Sequence, residues 1–434
     1  MQSSHGRGTV HSRGEHMKTM GKIGLMALPC ALAVATLFAH EGDVPGGMPR
    51  LDHVFVIMME NHSYSQIIGN PNAPFINKYA KWANTADNYF AIAHPSLTNY
   101  LEVVGGSNFG VLSDNNPDWH NPSCTPNLAS GMTNIDVPAL QHPDVCPIAG
   151  TGMDAPIPAL DPSPNEGGSP LKPLINVDGV LSFPSAHTVG KTIGDQLAAV
   201  GLSWKSYQES LPPSGADGVN FADGFFTDSS NIPGAIPGET QTLIKLYAAK
   251  HNPFVYFQSV QEGHDPHNSL NNVVGFSGSR GLYADLASGR IPSLAFIAPN
   301  QCTDQHGRGN AGPQCDFDPN NNGTQTGLNP ALISIGDQTV QNLVESIHGS
   351  QAWKEGRNAI VVLWDENDYT ATPITNRVLV IVETNHGNDD QGVHSKQFYT
   401  HFSLLKSLES AFGVSCLNHA CDASVHVMSD VFGR

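Results

Sequence analysis

The chain has 434 residues, 39% of them hydrophobic, enough to bury a large core and to exclude disorder as the default state. Its 39 acidic residues outnumber 21 basic ones, giving a formal net charge of -18, so nucleic acid and anionic membrane surfaces are electrostatically poor partners. A negatively charged small molecule stays compatible with such a chain where a bound cation inverts the local field.

The first segment has the layout of an export signal: Lys18 and Lys22 supply positive charge, residues 23–38 are apolar, and cleavage is expected near Ala39. Residues before Met17, with His5, His11 and His16, read as lying upstream of a start. A membrane anchor competes with this reading, but the apolar run is short for a span and Pro29 interrupts it. Pro29 also argues against lipidation at Cys30. The remaining residues, 40–434, are expected to form one domain. Cys124, Cys146, Cys302, Cys315, Cys416 and Cys421 are an even set suited to an oxidising compartment. Their near-neighbour grouping suggests bridges 124–146, 302–315 and 416–421, among the roughly 15 connectivities six cysteines allow. No CxxC spacing supports a structural zinc site.

Short apolar, β-branched runs at 54–59, 254–260, 294–298, 360–364 and 378–382 predict buried strands. Helical patterns at 192–200, 240–249 and 403–412 alternate with some of them, which predicts an α/β three-layer sandwich around a mostly parallel sheet. The stretch 105–184, rich in Pro, Gly, Asn and Ser, is too long for a bare loop and is expected to be a loop-rich cap. The ending Val189-Gly190-Lys191-Thr192 resembles a phosphate-binding loop, but Ser185 stands where its first glycine is required, so Thr192 is expected to start a helix.

In open α/β sheets ligands bind beyond the carboxyl ends of the strands. The run 54–59 leads into Glu60 and Asn61, 294–298 leads towards Asp304 and His306, and 360–364 leads into Asp365 and Glu366. Carboxylates converging there repel one another unless a cation lies among them. Oxygen ligands from Glu60, Asn61, Asp365 and Glu366 suit a hard divalent ion, Ca²⁺, Mg²⁺ or Mn²⁺. Such an ion makes a nearby hydroxyl more acidic and neutralises phosphate oxygens. Ser96, in the segment His94-Pro95-Ser96-Leu97-Thr98-Asn99-Tyr100, is the candidate hydroxyl; capping of the following helix is the alternative use of the same residue.

Glu60-Asn61-His62-Ser63-Tyr64 resembles the opening Glu-Asn-x-Ser-Phe/Tyr motif of the phosphoesterase family of secreted acid phosphatases and non-specific phospholipases C, in the alkaline phosphatase superfamily. Four further segments are similar in the same order: 94–106; 289–306, ending in Asp304-Gln305-His306; Trp364-Asp365-Glu366-Asn367-Asp368; and the closing Gly392-Val393-His394 with Tyr399, His401 and Ser403. The resemblance spans residues 51 to about 413. It implies an alkaline phosphatase-like fold, Ser96 as nucleophile through a phosphoserine intermediate, and Glu60, Asn61, Asp365 and Glu366 as metal ligands. It further implies that Asn99 and Asp304 contact phosphate and that His306 and His394 contact it or protonate the leaving group, a role that suits imidazole. His401 is expected to orient the helix near Ser403. His264 and His267 fit a turn equally well and carry no assignment.

These readings predict a secreted or periplasmic phosphomonoester hydrolase acting on small phosphate esters, without a stable membrane anchor. Phospholipase C-type cleavage of lipid head groups is the nearest alternative. The chain ends about 20 residues after the closing motif, which leaves no room for the extra C-terminal domains of bacterial phospholipases in this family, and no membrane-docking patch is evident. A non-catalytic secreted Ca²⁺-binding protein is the alternative of another class.

Overall fold

The computed structural model describes residues 41–94, 96–109, 190–211, 246–257, 259–260, 263–307, 311–315, 329–367, 376–386 and 392–433, together with the short strands at 148–149 and 183–184. The segment expected to be a signal, most of the expected cap and the Cys124–Cys146 pair lie outside these residues.

Among the described residues twelve strands occur in chain order: β1 (His53–Met59), β2 (Asn84–Ala86), β3 (Tyr89–Phe90), β4 (Ile148–Ala149), β5 (Phe183–Pro184), β6 (Trp204–Gln208), β7 (Val273–Gly275), β8 (Leu294–Ala298), β9 (Asn358–Trp364), β10 (Val380–Thr384), β11 (His394–Ser395) and β12 (Tyr399–Thr400). Eight form the central sheet, in the order β11-β2-β10-β9-β1-β8-β6-β7. Only β10 runs against its neighbours β9 and β2; the other pairings are parallel. This is a mixed α/β fold with a large, mostly parallel sheet, as the alternating sequence pattern predicts.

Strands β1 and β9 explain why the sheet is central. Successive side chains on a strand face opposite sides, so a strand buried at every position is covered on both faces. All seven residues of β9 are buried, and so are six of the seven in β1. The helices pack in two groups. Ser96–Gly105 packs on His401–Phe412 and Ile193–Ala199, while Pro74–Trp82 packs on Pro330–Gly349, which also contacts Leu282–Ser288 and Gln351–Lys354.

The predicted strands at 54–59, 294–298 and 360–364 are present, and β10 covers most of the one at 378–382. The run at 254–260 is not a strand: Pro253–Tyr256 is a 3-10 turn whose apolar side chains are fully buried, with Phe254 stacked on Trp204 at 4.3 Å between ring centroids. Proline at the first position suits a helical turn, and a short apolar run does not by itself separate buried strand from buried helix. The helix expected at 240–249 falls partly outside the described residues, and its end is the 3-10 turn Ala249–His251. Pro330–Gly349, the longest helix among the described residues, is missing from the elements read above although Asn329 caps it and Pro330 opens it. Thr192 does start a helix, accepting from the Gly194 and Asp195 backbone N–H groups at 3.1 and 3.4 Å.

Two of the expected disulfides are present, Cys302–Cys315 and Cys416–Cys421. Among the described residues, no helix is long and apolar enough to cross a membrane.

Candidate active site

Parallel strands deliver their following residues to one edge, and main-chain bonds lace those residues together. Met59 and Trp364 are paired in register, so Glu60 and Asp365 leave β1 and β9 at the same level. The Asp365 N–H donates to the Met59 carbonyl at 3.0 Å, the Glu60 N–H to the Asp304 carbonyl at 2.9 Å, and the Asn61 N–H to Asp365 Oδ1 at 3.0 Å. Asn61 adopts a left-handed backbone conformation, φ 53°, to make that turn.

The helix Ser96–Gly105 supplies the opposing surface. Positions i, i+3 and i+4 share one helix face, which puts Ser96, Asn99 and Tyr100 together. All three are fully buried. Ser96 Oγ lies 3.2 Å from Glu60 Oε2 and 3.3 Å from Glu366 Oε1. Asn99 donates from Nδ2 to Glu366 Oε2 at 2.9 Å and to the Ala93 carbonyl at 2.8 Å, while its Oδ1 accepts from the Ile92 and Ala93 N–H groups. The Tyr100 hydroxyl donates to Glu60 Oε1 at 2.6 Å.

Imidazoles close the remaining sides. His94 Nδ1 is 2.9 Å from Glu366 Oε2, and its Nε2 is 3.1 Å from Asn367 Oδ1. His251 stacks on the Tyr100 ring, 5.3 Å between centroids at 6°, and sits between two acids, with Nε2 3.1 Å from Glu60 Oε1 and Nδ1 3.1 Å from Asp304 Oδ2. Both are close contacts without hydrogen-bond geometry. Asp304 Oδ1 accepts from the His306 N–H at 2.7 Å. His401 Nε2 donates to the Asp365 carbonyl at 2.7 Å, so the ring holds the strand end as well as opening its own helix.

A family model for the Phosphoesterase family matches residues 70–415. The chain belongs to the Phosphoesterase family. A relative named phosphatidylinositol-3-phosphatase, from Mycobacterium tuberculosis, is 32% identical over 416 residues, covering 94% of each chain. The acid phosphatase of Aspergillus fumigatus is 21% identical over 402 residues, 92% of this chain and 63% of that one. A probable acid phosphatase of Kluyveromyces lactis is 22% identical over 373 residues, 86% of this chain and 61% of that one. The chain therefore spans a little over three-fifths of the length of these two fungal relatives. Among solved structures, an alkaline phosphatase superfamily protein from Vibrio parahaemolyticus is similar with a TM-score of 0.43 and 12% identity, covering 88% of this chain and 71% of that one.

In this member of the Phosphoesterase family, burial drives the electrostatics of the carboxylates. Desolvation, then repulsion from Asp365 and Asp304, raises the Glu60 carboxyl well above its usual range. Burial likewise raises Asp304 and pushes Asp365 up to about 6. Close packing of these buried acids makes their ionisation mutually unfavourable, which a cation among them relieves. The buried Asp365 Oδ2 has no hydrogen-bond partner among the described residues. Converging anionic oxygens and an orphaned acceptor fit a hard divalent ion held by Glu60, Asp365 and Glu366 beside Ser96 Oγ. A second possible metal group shares Glu60: ligand atoms of Glu60, His251 and His306 lie within 4.8 Å of one another. Desolvation, then the charges of Lys250 and His306, lowers His251 well below its usual range and keeps it neutral.

The structure thus brings together Ser96, Asn99, Glu60, Asn61, Asp304, His306, Asp365 and Glu366. Asn61 contributes its backbone N–H. His394 stands apart: it begins β11, with three strands between it and β1, and its side chain is 48% exposed. At about 4.8 Å per strand that offset is roughly 19 Å. Its Nδ1 meets Thr85 Oγ1 at 2.7 Å. His94, Tyr100, Lys250 and His251 are site residues that the sequence reading leaves without a role. Tyr100 was visible in principle as the i+4 neighbour of Ser96. For Lys250 and His251 the available signal is a polar Lys-His-Asn tripeptide between apolar runs, buried throughout.

Proposed function

We propose that this chain is a phosphoric ester hydrolase, specifically a metal-dependent phosphomonoesterase of the acid phosphatase type, acting through a phosphoserine on Ser96. The observation that carries the reading is the position of Ser96 Oγ, buried at the start of a helix within 3.3 Å of acids from two different strand ends. A helix cap has no need of two carboxylates; a nucleophile does, since its proton must leave. The phosphatase names of the relatives support a phosphate ester as substrate, and the mycobacterial relative's name suggests a lipid head-group monoester as one class to assay.

In this reading Glu60, Asp365 and Glu366 would hold a divalent ion, which would supply charge neutralisation at the phosphoryl oxygens and make the hydroxyl more acidic. The chain's own residues do the rest. Ser96 Oγ forms a bond to phosphorus as the ester oxygen departs with the electrons of the broken P–O bond; the serine proton passes to one of the two acids it already contacts, Glu60 Oε2 or Glu366 Oε1, and the departing oxygen takes a proton from water. Ser96 opens the helix Ser96–Gly105, and the positive end of a helix favours an anion at that place. His94 and Asn99 hold Glu366, and Tyr100 and His251 flank Glu60, so the acids keep their orientation without solvent. Water then cleaves the phosphoserine. His306, which lies in the cluster, is favoured over His394 for contact with the phosphate or leaving group. The two disulfides and the N-terminal apolar run support export.

Ser96→Ala tests the reading. Turnover of 4-nitrophenyl phosphate is expected to fall by a factor on the order of 10³ or more, with the circular dichroism spectrum unchanged. Near-normal turnover by the variant refutes the assignment.

A further inference from the structure

Gln305 lies between Asp304 and His306 and is fully buried, which is uncommon for a glutamine. Its two neighbours both meet His251: Asp304 Oδ2 lies 3.1 Å from Nδ1, and the His306 ring is 5.3 Å away between centroids. Gln305 turns instead to the helix layer. Its Oε1 accepts from the Trp364 indole N–H at 3.0 Å, and its Nε2 donates to the Ile333 carbonyl at 3.1 Å. An indole N–H can only donate and a carbonyl can only accept, so the two ends of the amide are fixed. The side chain passes across Gly336, which shares a face with Ile333 on the helix Pro330–Gly349. A Cβ at Gly336 would overlap Gln305 Cγ and come within 2.6 Å of Cδ and Nε2.

Two local costs meet in this one contact. Gln305 holds a left-handed backbone, φ 80°, which an L-residue of its kind seldom adopts. Gly336 weakens the interior of a long helix relative to alanine. Backbone strain persists only where the surroundings over-determine it, and it clusters where geometry is used. What the amide joins shows that use. In the sheet β1 separates β8 from β9; Asp304 comes after β8, and Trp364 is the last residue of β9. The Asp304 carbonyl already holds the Glu60 N–H at the end of β1. Gln305 therefore completes a tie across three strand ends, which carry Asp304, Glu60 and Asp365. Resting on the phosphoesterase reading above, we propose that Gln305 is a positioning residue. Seated in the Gly336 notch and hydrogen-bonded to Trp364, it holds Asp304 and His306 in register with Glu60 and Asp365, so the phosphoryl pocket is formed before substrate arrives.

A pocket that is correctly formed about one-tenth of the time binds about tenfold more weakly, because the apparent dissociation constant scales inversely with the competent fraction. The experiment uses Gln305→Ala in the full chain with its metal. KM for 4-nitrophenyl phosphate and the inhibition constant for inorganic phosphate are both expected to rise about tenfold. A loss of stability alone removes folded molecules and moves neither constant, so wild-type values of both in the folded variant overturn the inference. Adding Gly336→Ala to Gln305→Ala fills the vacated space with a methyl group but restores neither hydrogen bond, so both rises are expected to persist. Their disappearance would assign the effect to packing and overturn the inference. Should Gln305→Ala not fold, Gly336→Ala alone decides by the same two constants, since a helix favours alanine while the new methyl displaces the Gln305 side chain. Unchanged constants there overturn the inference and leave the phosphatase reading intact. Wild-type protein that does not hydrolyse 4-nitrophenyl phosphate overturns that reading instead.

Discussion

Tyr100→Phe isolates one hydroxyl. The tyrosine ring stacks on His251 at 5.3 Å and phenylalanine keeps that stack, while the 2.6 Å hydrogen bond to Glu60 Oε1 is lost. A hydrogen bond to a charged group contributes about 1.5–3 kcal/mol, and the carboxylate is fully buried, so solvent cannot replace the donor. Each 1.4 kcal/mol or so lost from the ionised form raises its pKa by about one unit, which adds to an existing upward shift. Glu60 therefore holds its proton more tightly and competes less well for a cation. The concentration of divalent ion giving half-maximal activity is expected to rise about 10- to 100-fold. Saturating metal should restore most of kcat, because Ser96 and Glu366 are untouched. The assay is 4-nitrophenyl phosphate turnover across a metal titration of chelated protein, with binding isotherms alongside. A correctly folded variant with unchanged metal dependence would refute the argument that Glu60 is a ligand oriented by Tyr100.

Metal affinity should also depend on pH, with a sign fixed by the direction of the shifts. Glu60, Asp304 and Asp365 have folded-state pKa values above their unfolded ones, Asp365 at about 6, so the metal-free protein loses stability as pH rises through those values. Ion binding releases those protons, and affinity is expected to climb by up to about tenfold per pH unit for each proton displaced between pH 5 and 7. Calorimetry in two buffers of different ionisation enthalpy checks this; the absence of proton release would count against the carboxylate site. Asn376→Ala should slow catalysis without touching any group that meets substrate. Asn376 Oδ1 accepts from the Asn367 N–H at 2.8 Å, and Nδ2 donates to the Ala93 carbonyl at 3.0 Å, tying the Asp365-Glu366 turn to the segment before Ser96. A loss of about 2–4 kcal/mol in denaturant stability, and a lower kcat at unchanged metal affinity, is the expected result.

Much of this site is legible in local sequence because strands announce it. The runs at 54–59, 294–298 and 360–364 are apolar at every position, as only strands covered on both faces need be; Glu60 and Asp365 follow the first and third directly, and Asp304 comes a short loop after the second. Ser96, Asn99 and Tyr100 can be placed on one face by counting. His251 and Lys250 cannot: they reach the acids from a 3-10 turn whose conformation is set by what packs around it, the same region where the expected strand at 254–260 fails. His394 shows the opposite limit. A motif places it near the closing helix in sequence, but only strand order reveals that β2, β10 and β9 intervene between it and β1.

The reversed direction of β10 carries a consequence for design. Because this strand runs against β9, its beginning lies on the same side of the sheet as the finish of its neighbour, and Asn376 meets Asn367 there. Asn367 and Asn376 are thereby clamped side by side at the carboxyl end of β9. For redesign that clamp is the constraint: replacing Asn376, whose side chain makes the bond, loosens the Asp365-Glu366 turn from the approach to β10.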